Sequence, residues 1–257
     1  MSDIKLLCGD CLELMKNIPD KSIDMILCDL PYGTTACKWD TIISFKSLWN
    51  EYNRIIKDNG AICLFASEPF ASLLRTSNLE YYRYDWIWQK QKPSNFQLMG
   101  YQCGRVHEFI CVFSKAKACY VKNGIAMKYY PQTTKRKSDR TSNVKIYTDA
   151  PLLHIYNGGK KDNIKTYKER QPISILQFNT VEHRLHPTQK PVPLLEYLIK
   201  TYTNEEDMVL DNCMGSGSTG IACKNLNRNF IGIELNEHYF NIAKERIENF
   251  HKSKELF

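Results

Sequence analysis

Four consecutive residues, Asp29-Leu30-Pro31-Tyr32, put a carboxylate, a backbone carbonyl, a rigid imino acid and an aromatic face side by side. Those parts suit a planar amine. Asp29 can accept one hydrogen of an exocyclic NH2 and the Leu30 carbonyl the other, while Pro31 restricts the backbone and Tyr32 offers a stacking face. The plainer alternative is a turn that caps a core strand, with Asp29 bonded to its own backbone. The surroundings favour chemistry. Ile26-Leu27-Cys28 precedes and Gly33-Thr34-Thr35 follows, which reads as a buried strand ending in a turn. Open α/β sheets bind ligands beyond the carboxyl ends of their strands.

A second centre lies near the other end of the chain. Met208-Val209-Leu210 is a strand candidate, and Asp211 to Gly220 is a glycine-rich turn into a helix. Phe230-Ile231-Gly232-Ile233 is the next strand, closed by Glu234. Gly215 and Gly217 let a backbone pass close to a ligand, and Glu234 is spaced to hold two ribose hydroxyls. This is only part of a dinucleotide fingerprint. Asp211 would repel a pyrophosphate but tolerates an ammonium or a sulfonium, and S-adenosylmethionine carries both. No Gly-Lys-Ser/Thr sequence supports a P-loop. Gly9-Asp10 ends a first strand, where the carboxylate can meet a nucleobase amine or cap the next helix.

These turns need a frame. Apolar runs at Ile4–Leu7, Ile23–Cys28 and Ala61–Phe65 alternate with helical stripes. One stripe holds Leu12, Met15 and Ile18, and a stronger one holds Phe45, Leu48, Trp49, Tyr52, Ile55 and Ile56, with Asn59-Gly60 expected to end it. Strand-helix-strand alternation predicts a mainly parallel sheet with helices on both faces. Trp86-Ile87-Trp88 and Phe109–Phe113 read as a further strand pair. The long polar and aromatic connection between them suggests a functional loop, with Lys90, Asn95 and Arg105 as candidate phosphate or base contacts.

The 257 residues suffice for one sizeable core with a smaller appended region. Net charge is +7, yet residues 115–170 contain fourteen Lys or Arg against four Asp or Glu, a local +10 that leaves the remainder slightly acidic. With six interspersed tyrosines and poor helical periodicity, this stretch reads as an irregular module that grips phosphates, Lys135, Arg136, Lys137, Lys160 and Lys161 foremost. The alternative is a solvated surface loop. Of the ten cysteines, most sit in apolar surroundings and read as reduced, intracellular thiols. Cys8-Gly9-Asp10-Cys11 has the spacing of half a zinc site without a second half, so no metal is expected. Met1 to Lys5 reads as leading directly into fold, so no signal peptide is expected, and no stretch approaches membrane-spanning length; a cytoplasmic location is the expectation.

Taken together these motifs resemble the DNA amino-methyltransferases (N6-adenine and N4-cytosine), in the permuted class whose catalytic motif precedes the cofactor motif. Asp29–Tyr32 resembles the family's Asp-Pro-Pro-Tyr, and His186-Pro187-Thr188-Gln189-Lys190-Pro191 its His-Pro-Thr-x-Lys-Pro. Asp211–Gly220 resembles its Asp-Pro-Phe-x-Gly-Ser-Gly-Thr-Thr, and Phe230–Glu234 its ribose-holding strand. Leu30 replaces a proline but keeps its carbonyl. Asn212 and Cys213 replace Pro-Phe, so a large ring is lost beside the cofactor.

The resemblance implies a mostly parallel seven-stranded sheet with one antiparallel strand, plus a small target-recognition region. Residues 1–114 would form the catalytic half, 115–182 the recognition region and 183–257 the cofactor half. Asp29, Leu30, Pro31 and Tyr32 would be catalytic. Asp10, Asp29, Thr188, Lys190, Asp211, Asn212, Cys213, Gly215, Ser216, Gly217, Glu234 and Leu235 would border S-adenosylmethionine. The expected reaction is methyl transfer to adenine N6 in DNA. Cytosine N4, an RNA base, or a nucleic-acid-binding role without activity are the alternatives. A restriction endonuclease acting on the same site is an expected functional counterpart with no stable complex implied, and the protein would be a monomer or homodimer.

Overall fold

The computed structural model describes residues 2–33, 41–122, 124–143, 164–182, 185–186 and 188–250. Lys160, Lys161 and Pro187 lie outside these, and so do Thr34 and Thr35. The described chain separates into a main unit, residues 1–130 with 174–257, and a small unit, residues 131–173.

The main unit is built on strands β1 (Ile4–Cys8), β2 (Ile23–Cys28), β3 (Ile56–Ala66), β4 (Tyr82–Gln89) and β5 (His107–Phe113). Helices α1 (Cys11–Met15), α2 (Phe45–Ile55) and α3 (Phe70–Ser77) alternate with them. The small unit contributes β6 (Thr134–Asn143) and β7 (Ile164–Arg170). The chain then returns with β8 (Ile175–Gln177), α4 (Val192–Tyr202), β9 (Met208–Asp211), α5 (Ser218–Asn225), β10 (Asn229–Glu234) and α6 (Glu237–Glu248).

One eight-stranded sheet runs β1-β10-β9-β2-β3-β5-β4-β8. From β1 to β3 every pairing is parallel, and β5 is antiparallel to both β3 and β4. This matches the expected doubly wound sheet, extended by the three-residue β8 that pairs in parallel with β4. Two apolar layers cover it. Along β2, Met25 and Leu27 face one layer and Ile26 and Cys28 the other, as the two-residue period of a strand requires. A strand buried on both faces therefore reads as an unbroken apolar run. Each large side chain sealed in this way contributes about 1.5–3 kcal/mol.

Helix α2 buries Leu48, Trp49, Tyr52 and Ile55, the expected stripe, and starts at the Ser44 cap. It ends at Ile55, with Ile56 as its C-cap, short of the expected stop at Asn59-Gly60. Asn59-Gly60 belongs to β3 instead, inside a bulge where the pairing with β2 shifts between Ile23–Ile56 and Met25–Ala61. A Cβ on Gly60 would meet the Asp24 carbonyl at 2.8 Å, so this glycine answers to a close strand approach and not to a helix terminus.

The small unit is an antiparallel ribbon rather than the irregular module expected. Its pairings run from Thr134–Arg170 to Asn143–Ile164, but the five-residue step from Lys135 to Arg140 faces only two residues, Glu169 to Tyr167. The excess forms a bulge in which the basic residues sit. Lys135 and Lys137 are exposed, whereas Arg136 is half-buried and donates from Nε to the Glu169 carbonyl at 3.0 Å. Among the described residues no helix is long and apolar enough to cross a membrane.

Candidate active site

Strands β1, β2, β9 and β10 all end at one edge of the sheet, and a cavity of about 400 Å³ opens there. Its wall includes Asp10, Asp29 to Tyr32, His186, Thr188, Lys190, Asp211 to Cys213, Gly215, Ser216, Glu234 and Leu235. The two sequence centres, about 180 residues apart in the chain, thus share a single chamber with four carboxylates in its wall.

The Asp29 turn is held by side chains. Tyr32 donates its hydroxyl to Asp29 Oδ1 at 2.7 Å, and the Lys190 ammonium donates to Oδ2 at 2.7 Å. The Tyr32 ring stacks on Phe70 at 4.9 Å and 23°, so one of its faces is already covered. Burial and the Asp29 charge push the Tyr32 phenol well above its ordinary range, keeping it a donor. Lys190, expected beside the cofactor, lines the same cavity, and its ammonium is the direct partner of the Asp29 carboxylate. It also lies 3.3 Å from Glu108 Oε2. Burial pushes the Lys190 ammonium down, but Asp29 and Glu108 outweigh burial and hold its pKa above the ordinary lysine range.

Sequence reasoning missed Glu108. It sits at the start of β5, and because that strand runs antiparallel, its beginning reaches the edge where its parallel neighbours end. Lys90, expected to grip DNA, has an 8% exposed side chain and ion-pairs with Glu108 Oε1. It is therefore not a free phosphate contact. Asn95 is likewise committed: its Nδ2 donates to the Cys103 carbonyl at 3.0 Å and its Oδ1 accepts from the Arg105 amide at 2.5 Å, which pins the loop shut. Half-buried Arg105 takes its place in this brace through its backbone. The loop presents apolar as well as polar side chains outward, with Phe96 and Tyr101 largely exposed.

The glycine-rich turn is held mainly by backbone donors. Glu234 Oε2 accepts from the Gly215 amide at 2.9 Å and Oε1 from the Asn236 amide at 2.8 Å. Asp211 Oδ1 accepts from the Cys213 amide at 3.1 Å, and Oδ2 from the Thr219 hydroxyl at 2.6 Å. Burial raises the Asp211 carboxyl to about 7, against the opposing pull of those two donors. Asp10 spends Oδ1 on capping α1, at 2.8 Å from the Leu12 amide. Gly215, with φ +52°, turns the backbone along the cavity wall. Gly217, with φ +77°, lies outside that wall: a Cβ there would strike Ile247 and Ala243 of α6. It lets the turn pack closely on α6, between Ser216 and Ser218, which do line the cavity. Asn212 is buried and accepts from the Tyr52 hydroxyl at 2.5 Å, a bond from α2 to the cofactor turn. Cys213 sits beside it, and burial pushes the neighbouring Cys28 thiol up to about 12. His186 packs edge-on against Tyr239 at 4.2 Å, and burial lowers its pKa.

Comparison with known proteins agrees with this geometry. The DNA methylase family model N6_N4_Mtase matches residues 23–245. The chain belongs to the DNA methylase family. The type II methyltransferase M.HpaI of Haemophilus parainfluenzae is 30% identical over 96% of the chain and 75% of its own length. M.HinfI of Haemophilus influenzae is 30% identical over 94% and 67%. Among solved structures, M1.HpyAVI in complex with SAM is 26% identical with a TM-score of 0.60, covering 95% of this chain and 99% of that one. The cytosine-N4-specific PvuII DNA methyltransferase superposes with a TM-score of 0.67 at 16% identity, covering 99% and 90%, and so supports the fold alone. The sheet of this DNA methylase is thus the S-adenosylmethionine-dependent methyltransferase fold.

Proposed function

We propose that this DNA methylase transfers a methyl group from S-adenosylmethionine to an exocyclic base amine in DNA, adenine N6 first. The observation that carries the reading is the meeting of Asp29-Leu30-Pro31-Tyr32 with Asp211 and Glu234 in one cavity. The residues present fit the cofactor. Four carboxylates suit a ligand with an ammonium and a sulfonium, the Glu234 oxygens each keep a lone pair for a ribose hydroxyl, and Gly215 leaves the wall open. Asp10, Asp211, Gly215, Ser216, Glu234 and Leu235 would hold it, with Thr188 and Asn212-Cys213 alongside.

When bound, the cofactor supplies an electrophilic methyl group and leaves as a neutral thioether. The chain's residues prepare the nucleophile. Asp29 and the Leu30 carbonyl accept the two amine hydrogens, which draws the nitrogen lone pair out of conjugation with the ring. The N–C bond forms as the S–C bond breaks, and the nitrogen then sheds one proton to the Asp29 carboxylate, from which it passes to water. The target base must leave the stack to reach such a chamber, where the uncovered face of Tyr32 receives it. No cysteine nucleophile takes part.

Cytosine N4 presents the same pair of hydrogens and is the second reading. Methylation of duplex DNA with labelled cofactor, followed by digestion and mass analysis, tests both. N6-methyladenine is the expected product. N4-methylcytosine would change the base and keep the mechanism, whereas label confined to RNA or absent from all nucleic acid would overturn the reading. A restriction endonuclease sharing the recognition sequence belongs to the same proposal, which the type II relatives support.

A further inference from the structure

Both oxygens of Asp29 already hold hydrogens from the protein itself. Tyr32 occupies Oδ1 and Lys190 occupies Oδ2, each at 2.7 Å. An amine that reaches Oδ2 must compete with the ammonium of a lysine whose side chain is only 9% exposed. A buried ammonium pushed off its carboxylate needs another acceptor at once. One is in place. Glu108 Oε2 lies 3.3 Å from Lys190 Nζ, is shut off from solvent, and has no well-aligned hydrogen bond. The other Glu108 oxygen is anchored by Lys90, whose ammonium also lies 4.9 Å from the centre of the Trp88 ring. On another side of Lys190 Nζ the Phe65 ring centre is 4.9 Å away.

Resting on the amine-methylation reading above, we propose that Glu108 is a positioning residue, the alternate seat to which the Lys190 ammonium moves so that Asp29 Oδ2 opens to the incoming amine. Charges alternate through Lys90, Glu108, Lys190 and Asp29, so the four groups are neutral as a set. Moving the Lys190 hydrogen bond from one carboxylate to the next leaves that sum unchanged. Lys190 and Lys90 together keep Glu108 ionised: burial pushes this carboxyl up, but the two ammoniums outweigh burial and hold it below its ordinary value. A lysine suits the move, because its ammonium carries three donors on a stem that pivots over a short distance.

The test uses the full chain in three forms, the parent, Glu108→Gln and Lys90→Met/Glu108→Gln. Glu108→Gln keeps the shape and removes the anion. It should lower kcat at least tenfold while cofactor affinity stays within twofold. The double variant restores neutrality to the remaining pair and should recover the thermal stability of the parent, yet stay as slow as the single variant, since the second seat is still missing. A purely structural role predicts that turnover returns with stability. Side-chain nitrogen NMR of the lysines, recorded on the protein alone, supplies a readout independent of activity: the Lys190 titration should move down in Glu108→Gln. Turnover of the double variant within threefold of the parent, an unmoved Lys190 titration, or a tenfold loss of cofactor affinity would each overturn the proposal. A parent that methylates no DNA would instead sink the reading of function, and the Lys190 titration would still decide whether Glu108 governs this ammonium.

Discussion

Asp29 and Glu234 both stand at strand ends around one cavity, and they are satisfied in opposite ways. Each Glu234 oxygen takes a backbone amide, from Gly215 and Asn236. Asp29 takes side chains only, one of them from a residue 161 positions away. The first arrangement is a rigid receptacle, since backbone amides in a tight turn cannot swing away. The second is adjustable, since a phenol and an ammonium can both rotate. On the function proposed above, a binding wall anchored mainly by backbone and a reacting wall anchored by side chains suit holding one ligand while admitting another.

The largest expected effect falls on the reacting wall. Asp29→Ala should lower kcat at least a hundredfold, about 2.7 kcal/mol of transition-state stabilisation, with cofactor affinity within about threefold. Steady-state kinetics and a calorimetric titration of the purified variant measure both. If affinity collapses along with rate, the two walls are not separable and the comparison fails.

On the binding wall the order should invert. Glu234→Ala should weaken S-adenosylmethionine binding by about 1.5–3 kcal/mol and leave the Gly215 and Asn236 amides without acceptors. Glu234→Gln should be milder, because one acceptor oxygen survives, and Asp10→Ala milder still. Calorimetry across the three variants gives the ranking.

Asp211 sharpens the contrast through pH. Its folded-state carboxyl is raised by burial to about 7. Between its ordinary value and that point the folded chain binds a proton that the unfolded chain has lost, so this group's contribution to stability falls as pH rises. Cofactor affinity should move the other way, strengthening as pH climbs through about 7 and the carboxylate forms beside a cationic ligand. Asp211→Asn should flatten both trends, read by urea unfolding and by calorimetry from pH 5 to 8.

The smallest effect belongs to the ribbon, where charge positions without reacting. Lys135→Ala/Lys137→Ala should weaken DNA binding almost uniformly across sequences and reduce the log-log salt slope by up to about two. Arg136→Ala should act more through ribbon stability, because its guanidinium is bonded to the Glu169 carbonyl. Titrations at several salt concentrations separate the two; an unchanged slope would return these lysines to the solvated-loop reading.

The backbone-built wall was legible in the sequence because its logic is local. Asp211, Gly215 and Glu234 are spaced by one strand-helix-strand unit, and their types announce a turn and an acceptor. Asp29 was legible for the same reason. Its partners were not, since Lys190 and Glu108 reach it only through the folded sheet, and β5 brings Glu108 there by running backwards. Lys90 and Asn95 were misplaced because a charged or amide side chain in a long loop looks free until its fold-dependent acceptor is known. Asn59-Gly60 misled because that pair usually stops helices, whereas here a close strand approach requires the glycine.

The reversed direction of β5 has one more consequence. A strand side chain changes face with every step, so a single residue inserted between Gln89 and His107 is absorbed by the loop, but one inserted within His107–Phe113 is not. A slip there would carry Glu108 to the opposite face and bring an apolar neighbour up to two buried ammoniums. The chain can therefore vary in length at the tip of its outer loop, beyond the Asn95–Arg105 brace, while the count of residues along this one strand stays fixed.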